Sequence, residues 1–163
     1  MHTFGIETRA LRYELNGENA SATLTEFMID GRALSDLLGI ARDLGNSECD
    51  LDPFFQSHQP QISQQAVLAL QARAPARNGL GSQRVVLYRC HCGSDDCGVI
   101  SAQIQDSGDC IEWRDVGLET EGDGAATDTD SPRLPGLVFA KDAYIAELER
   151  FTAATRQVSP PRL

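Results

Sequence analysis

Three of the five cysteines in this chain fall within eight residues, in Cys90-His91-Cys92-Gly93-Ser94-Asp95-Asp96-Cys97-Gly98. Thiols at this C-x-C-x4-C spacing can ligate a metal, close a reversible disulfide, or pack as small apolar side chains with no chemistry. A zinc site takes four ligands, usually thiolate or imidazole, at about 2.0–2.3 Å. Cys90, Cys92 and Cys97 supply three, and the fourth would be Cys49, His58, His91 or a carboxylate. Without a metal, Cys92–Cys97 or Cys90–Cys97 could form a disulfide across two paired strands. A reversible Cys92/Cys97 pair would make the chain a small thiol oxidoreductase. The spacing alone leaves all three readings open.

The cysteines need elements to hold them, and a β-meander is the clearest pattern in the sequence. Its strands are expected over 84–91, 98–105 and 110–116, joined by Gly93-Ser94-Asp95-Asp96 and Asp106-Ser107-Gly108-Asp109. If residues 93–96 form the loop, Cys92 opposes Cys97, and alternation puts Cys90, Cys92 and Cys97 on one face with His91 turned away. The other face collects Val85, Leu87, Ile100, Ala102, Ile104, Ile111 and Trp113 as a core stripe. Val86 and Tyr88 make the thiol side apolar too, which places the first meander strand inside the sheet. Cys110 opposes Gln105 in this register, eight residues along from Cys97. At about 3.3 Å per residue that is roughly 26 Å, too far to share a metal or a disulfide.

Around the meander the pattern predicts an α+β domain, mainly antiparallel, with two or three packed helices. A hairpin spans residues 4–15 and 22–29, turning at Asn16-Gly17 and closed by Asp30-Gly31. Leu34, Leu37, Leu38, Ala41 and Leu44 share one helical face, stopped by Gly45-Asn46. Residues 47–60 read as irregular, and a second helix is expected over 63–74. A strand over 137–140 leads into a last helix that begins at Asp142 and carries Tyr144, Ile145, Leu148, Phe151 and Thr152 on one face. Residues 119–135 hold five acids, two glycines and two prolines, and predict a mobile loop open to fast amide exchange and early cleavage. The domain is expected over 1–157, with 158–163 a frayed tail.

Composition excludes several functions. At 41% hydrophobic and 23% charged residues the chain is not disordered throughout. No apolar run approaches the roughly 20 residues of a membrane span. The net charge of -10 repels phosphate backbones and anionic lipid, so neither nucleic acid nor membrane is an expected partner, whereas a basic protein is. An odd cysteine count, and a start without a basic region followed by an apolar stretch, point to a reduced cytoplasmic setting. Gly79-Leu80-Gly81 lacks the third glycine and the lysine of a phosphate loop, and no βαβ unit is present. The acids of 119–130 follow no twelve-residue calcium-loop pattern. Phe54 and Phe55, beside His58, and the turn acids Asp95 and Asp96 are candidates for a binding surface.

The run Tyr88-Arg89-Cys90-His91-Cys92-Gly93 with Cys97-Gly98, followed by Ile111-Glu112-Trp113, resembles a family of small, uncharacterised bacterial proteins of actinobacterial type. Their pattern is a Cys-Gly turn, a second Cys-Gly, a strand ending before Val-x-Trp, and a late Phe-x-x-x-x-Tyr entering a terminal helix. Phe139 and Tyr144 match the last element, Ile111 replaces the valine, and Ile29-Asp30-Gly31-Arg32-Ala33-Leu34 is similar to the family's early Asp-Gly turn. Some members carry the label oxidoreductase, so the resemblance implies a bacterial origin and adds weight to a redox role. The residues themselves favour a non-enzymatic binding or interaction module with a structural zinc at the cysteine turn. The alternative is a thiol oxidoreductase using Cys92 and Cys97.

Overall fold

Asn16-Gly17 and Asp30-Gly31 all take positive φ in the computed structural model, which describes residues 1–76, 78–121 and 131–157. These two turns fold the N-terminal third into a sheet of β1 (Phe4–Leu15), β2 (Glu18–Ile29) and β3 (Arg32–Ala33), in that order and antiparallel. The second sheet runs β4 (Val85–Tyr88), β5 (Val99–Asp106), β6 (Cys110–Glu119) and β7 (Arg133–Ala140), each antiparallel to its neighbour. Four helices, α1 (Leu34–Leu38), α2 (Pro53–His58), α3 (Pro60–Leu70) and α4 (Lys141–Gln157), complete an α+β fold. No helix among the described residues is long and apolar enough to cross a membrane.

The two sheets share one core. Phe4 and Phe27 of the first meet Trp113 and Phe139 of the second, with Tyr144, Leu148 and Phe151 of α4 packed on them. Each such side chain, fully buried, contributes about 1.5–3 kcal/mol. Trp113 donates its indole N–H to Tyr144 Oη at 3.0 Å, and Tyr144 donates in turn to the Leu70 carbonyl at 2.8 Å. Sheet, terminal helix and α3 are thereby tied through one buried chain.

Several elements depart from the sequence pattern. The first helix ends at Leu38, because Gly39 takes φ 67° and caps it. Arg42 then turns inward, where its guanidinium lies 3.7 Å from the Tyr88 ring centroid and pairs with buried Glu26 at 3.1 Å. It also donates to the carbonyls of Thr25, Asn46 and Ser47, which fixes residues 39–47 as a non-helical strap. The segment expected to be irregular contains α2, with Pro53 at its first turn, where a missing N–H costs nothing. This brings the helices among the described residues to four.

The meander is present, but β4 is an edge strand and not an interior one. β6 reaches Glu119 and β7 starts at Arg133, so the margins of the acidic segment are paired strand. Its centre, residues 122–130, and the tail 158–163 lie outside the described residues.

Candidate metal centre

β4 stops at Tyr88, and residues 89–92 beyond it are held by side chains and by the strap. Arg89 and Glu48 exchange both backbone hydrogen bonds, at 2.8 and 3.0 Å, and the His91 N–H donates to the Leu44 carbonyl at 2.8 Å. The Arg89 guanidinium pairs with Asp50 and, at 2.8 Å, with Asp95. Asp95 accepts the Gly79 N–H through its other oxygen at 2.6 Å. These contacts fix both ends of the cysteine turn to the body of the protein.

Within the turn, Ser94 caps a single 3-10 turn over Asp95–Cys97 by accepting the Asp96 N–H. Gly98 leaves it at φ 94°, a conformation that disfavours any Cβ, and a Cβ there would meet Leu118 at 3.3 Å. The pairing differs from the simple hairpin. Val86 opposes Ser101 but Tyr88 opposes Ile100, with a bulge between them, and regular pairing ends there. Strand alternation therefore does not extend to residues 89–92. His91 does not turn away from the thiols: its Nδ1 lies 3.5 Å from Cys90 Sγ and 2.8 Å from the Leu44 carbonyl.

The turn nevertheless brings the three cysteines together. The sulfurs of Cys90, Cys92 and Cys97 all lie within 4.8 Å of one another, with Cys90 buried and the other two exposed. Cys92 Sγ and Cys97 Sγ are 3.5 Å apart. Around a tetrahedral ion with sulfur bonds of about 2.3 Å, neighbouring sulfurs sit about 3.8 Å apart. The cluster is thus of a size that could hold a metal ion. Among the described residues, no imidazole or carboxylate joins the three thiols within that distance.

The environments of the thiols differ. The Ser94 N–H, and then Cys90 and Cys97, stabilise the Cys92 thiolate and lower its pKa. Cys97 is pushed up to about 11, first by its hydrogen bond to Cys92 and then by Cys90. Cys49 is buried and does not join the three thiols, its own thiol pushed up by desolvation. His58 stacks on Phe54 at 4.6 Å and meets Ser57 Oγ and the Phe54 carbonyl through Nδ1. Cys110 lies at the far end of β6, 3.6 Å from Met1 Sδ.

Of the surface candidates, Phe54 and Asp96 are exposed, Phe55 is half-buried, and Asp95 is buried in its pair with Arg89. A groove of about 350 Å³, not expected from the sequence, lies beside the turn between the β1–β2 hairpin and α2. Leu11, Tyr13 and Leu15 line one wall, and Leu44, Phe54 and His91 line the other. The signal available for it was the alternation of Leu11, Tyr13 and Leu15 in β1, outside any stretch the core uses. Compared with protein-family models, with curated proteins and with solved structures, the chain finds no match.

Proposed function

We propose that this protein is a non-enzymatic interaction module whose cysteine turn carries a structural zinc, and whose partner is a basic protein. The observation that carries the metal part is the convergence of Cys90, Cys92 and Cys97 within 4.8 Å on a turn anchored by Arg89. Zinc binding would deprotonate the thiols and lock a turn on which Cys92 and Cys97 are exposed. The net charge of -10 supports the choice of partner, since such a surface steers cations toward it.

A second reading is favoured by the 3.5 Å separation of Cys92 and Cys97 and by their opposed acidities. As a thiol oxidoreductase, the Cys92 thiolate would attack a substrate disulfide and release one substrate thiolate. Cys97 would then lose its proton and attack Cys92 Sγ, leaving a Cys92–Cys97 disulfide and a fully reduced substrate. The label carried by some proteins of the resembling family points the same way.

Metal analysis and thiol labelling of protein purified without a histidine tag separate the two. The zinc reading expects close to one zinc per chain, with chelation exposing Cys90, Cys92 and Cys97 to the labelling reagent. Zinc that persists when all three are replaced by serine overturns it. Metal-free protein with a reversible Cys92–Cys97 bond and disulfide turnover lost in Cys97→Ser would establish the oxidoreductase instead.

A further inference from the structure

The groove beside the cysteine turn combines three unmet requirements. The first is apolar. In the register of β1 with β2, Leu11 opposes Ala22, Tyr13 opposes Ala20 and Arg9 opposes Leu24. Opposed residues share a face, so this end of the hairpin has one apolar face and one polar face built on Arg12, Glu14 and Ser21. A two-stranded arm is marginal unless its apolar face is covered. Here the cover is incomplete: Leu15 is 53% exposed and, on the opposite wall, Phe54 is 58% exposed.

The second requirement is electrostatic. Glu48 lines the groove half-buried, and among the described residues its carboxylate has neither a hydrogen bond nor an ion pair. Its neighbour Asp52 is occupied, accepting the backbone N–H groups of Thr25 and Cys49 at 2.8 and 2.9 Å. The nearby cation, Arg89, is taken up by Asp50 and Asp95. Desolvation, and then repulsion from Asp52, push the Glu48 carboxyl above its usual range, and the attraction of Arg89 offsets this only in part.

The third lies in the backbone. β3 pairs only with Met28 and Ile29, so the outer edge of β2 is open toward the hairpin turn. Side chains cover part of it: Asp52 takes the Thr25 N–H, Arg42 the Thr25 carbonyl, and Tyr88 Oη the Phe27 N–H. By strand alternation Ser21 and Thr23 present their N–H and C=O groups on that same edge, and Thr23 lines the groove. No protein group among the described residues meets them.

We propose that an extended segment of a basic partner protein docks here, adding to the β2 edge at Ser21 and Thr23, with its apolar side chains on the arm and a lysine or arginine at Glu48. Strand addition supplies backbone hydrogen bonds, and alternate pockets supply selectivity. The aromatic rings of Phe54 and Tyr13 suit a cation reaching an acidic floor. A second copy of this chain is the wrong occupant, since two bodies of charge -10 repel each other. This inference rests on the interaction-module reading and is independent of the metal.

The test is fluorescence anisotropy of the full chain with a labelled, end-capped six-residue peptide of alternating leucine and lysine, against its leucine–glutamate counterpart. The expected result is binding of the lysine peptide alone. Glu48→Gln, Phe54→Ser and Thr23→Pro should each weaken it about tenfold, roughly 1.4 kcal/mol. Thr23→Pro removes an outward N–H and no hydrogen bond of the β1–β2 ladder, and circular dichroism of each variant checks its fold. Glu149→Gln, exposed on α4, should change affinity less than twofold. Equal weakening by Glu48→Gln and Glu149→Gln, with Phe54→Ser and Thr23→Pro unchanged, means binding to the overall field and overturns the groove, as does absence of peptide binding. A concentration-dependent dimer in sedimentation that is lost in Leu15→Ser would overturn it in favour of a second copy. A basic protein that binds the parent and Glu48→Gln equally would overturn the groove and leave the interaction module standing.

Discussion

Cys92 and Cys97 sit side by side with acidities shifted in opposite directions, and the turn that joins them explains the difference. Cys92 receives the Ser94 N–H, while Cys97 is left to donate to a sulfur that prefers to be anionic. In metal-free protein, iodoacetamide should therefore modify Cys92 first, with a rate that rises below the ordinary thiol range. Cys97, whose thiol is pushed up first by its hydrogen bond to Cys92, should react after it. Peptide mapping of the singly alkylated product checks the order, and prior labelling of Cys97 contradicts it. The grouping of Cys90, Cys92 and Cys97 was legible from their spacing, because a short turn between strands cannot hold them far apart. The orientation of His91 was not, since the alternation rule lapses where β4 gives up its partner at Tyr88. Nor could a linear pattern show Arg89 joining Asp50 to Asp95, charges separated by 39 and 6 positions from their common partner.

Elements were legible wherever their own residues determine them. The β1–β2 hairpin follows from Asn16-Gly17, and the core stripe of the meander from alternation; both are present. α1 is shorter than its apolar spacing because Gly39 caps it, and the residues after it follow a distant demand: Glu26 holds Arg42 in the interior, where leaving either charge alone would cost several kcal/mol. The same kind of tertiary demand appears in α4. Tyr144 is oriented there by helical spacing, but its hydroxyl is needed by Trp113 on β6 and by the carbonyl that ends α3. Tyr144→Phe keeps the ring and strands both partners, so it should lower unfolding stability by about 2 kcal/mol. Chemical denaturation checks this; a change below about 0.5 kcal/mol would mean that the surroundings re-pair both groups.

Over the whole molecule, the two sheets have separate hydrogen-bond ladders and a common interior. The N-terminal residues close the assembly from outside: the His2 N–H donates to the Val138 carbonyl at 2.7 Å, so the chain's first residues brace the outer edge of β7. The acidic charge is spread over this frame unevenly in use. Asp50, Asp52 and Asp95 are consumed by internal contacts, and Glu48 is left facing the groove.

The joint between β6 and β7 also makes this a protein that can be divided. β7 and α4 form one continuous C-terminal piece, registered on β6 from Cys110↔Ala140 to Gly117↔Arg133 and anchored by Tyr144, Leu148 and Phe151. Covalent continuity between β6 and β7 raises the effective concentration of the C-terminal piece at its docking site. Two polypeptides, 1–125 and 126–163, should therefore complement each other when co-expressed, elute together on size exclusion, and separate on dilution. Pieces that never co-elute would show that the chain's continuity, and not the strand pairing, holds the C-terminal piece in place. Complementation would turn this fold into a bimolecular reporter, in which each substitution in the shared interior is read directly as an association constant.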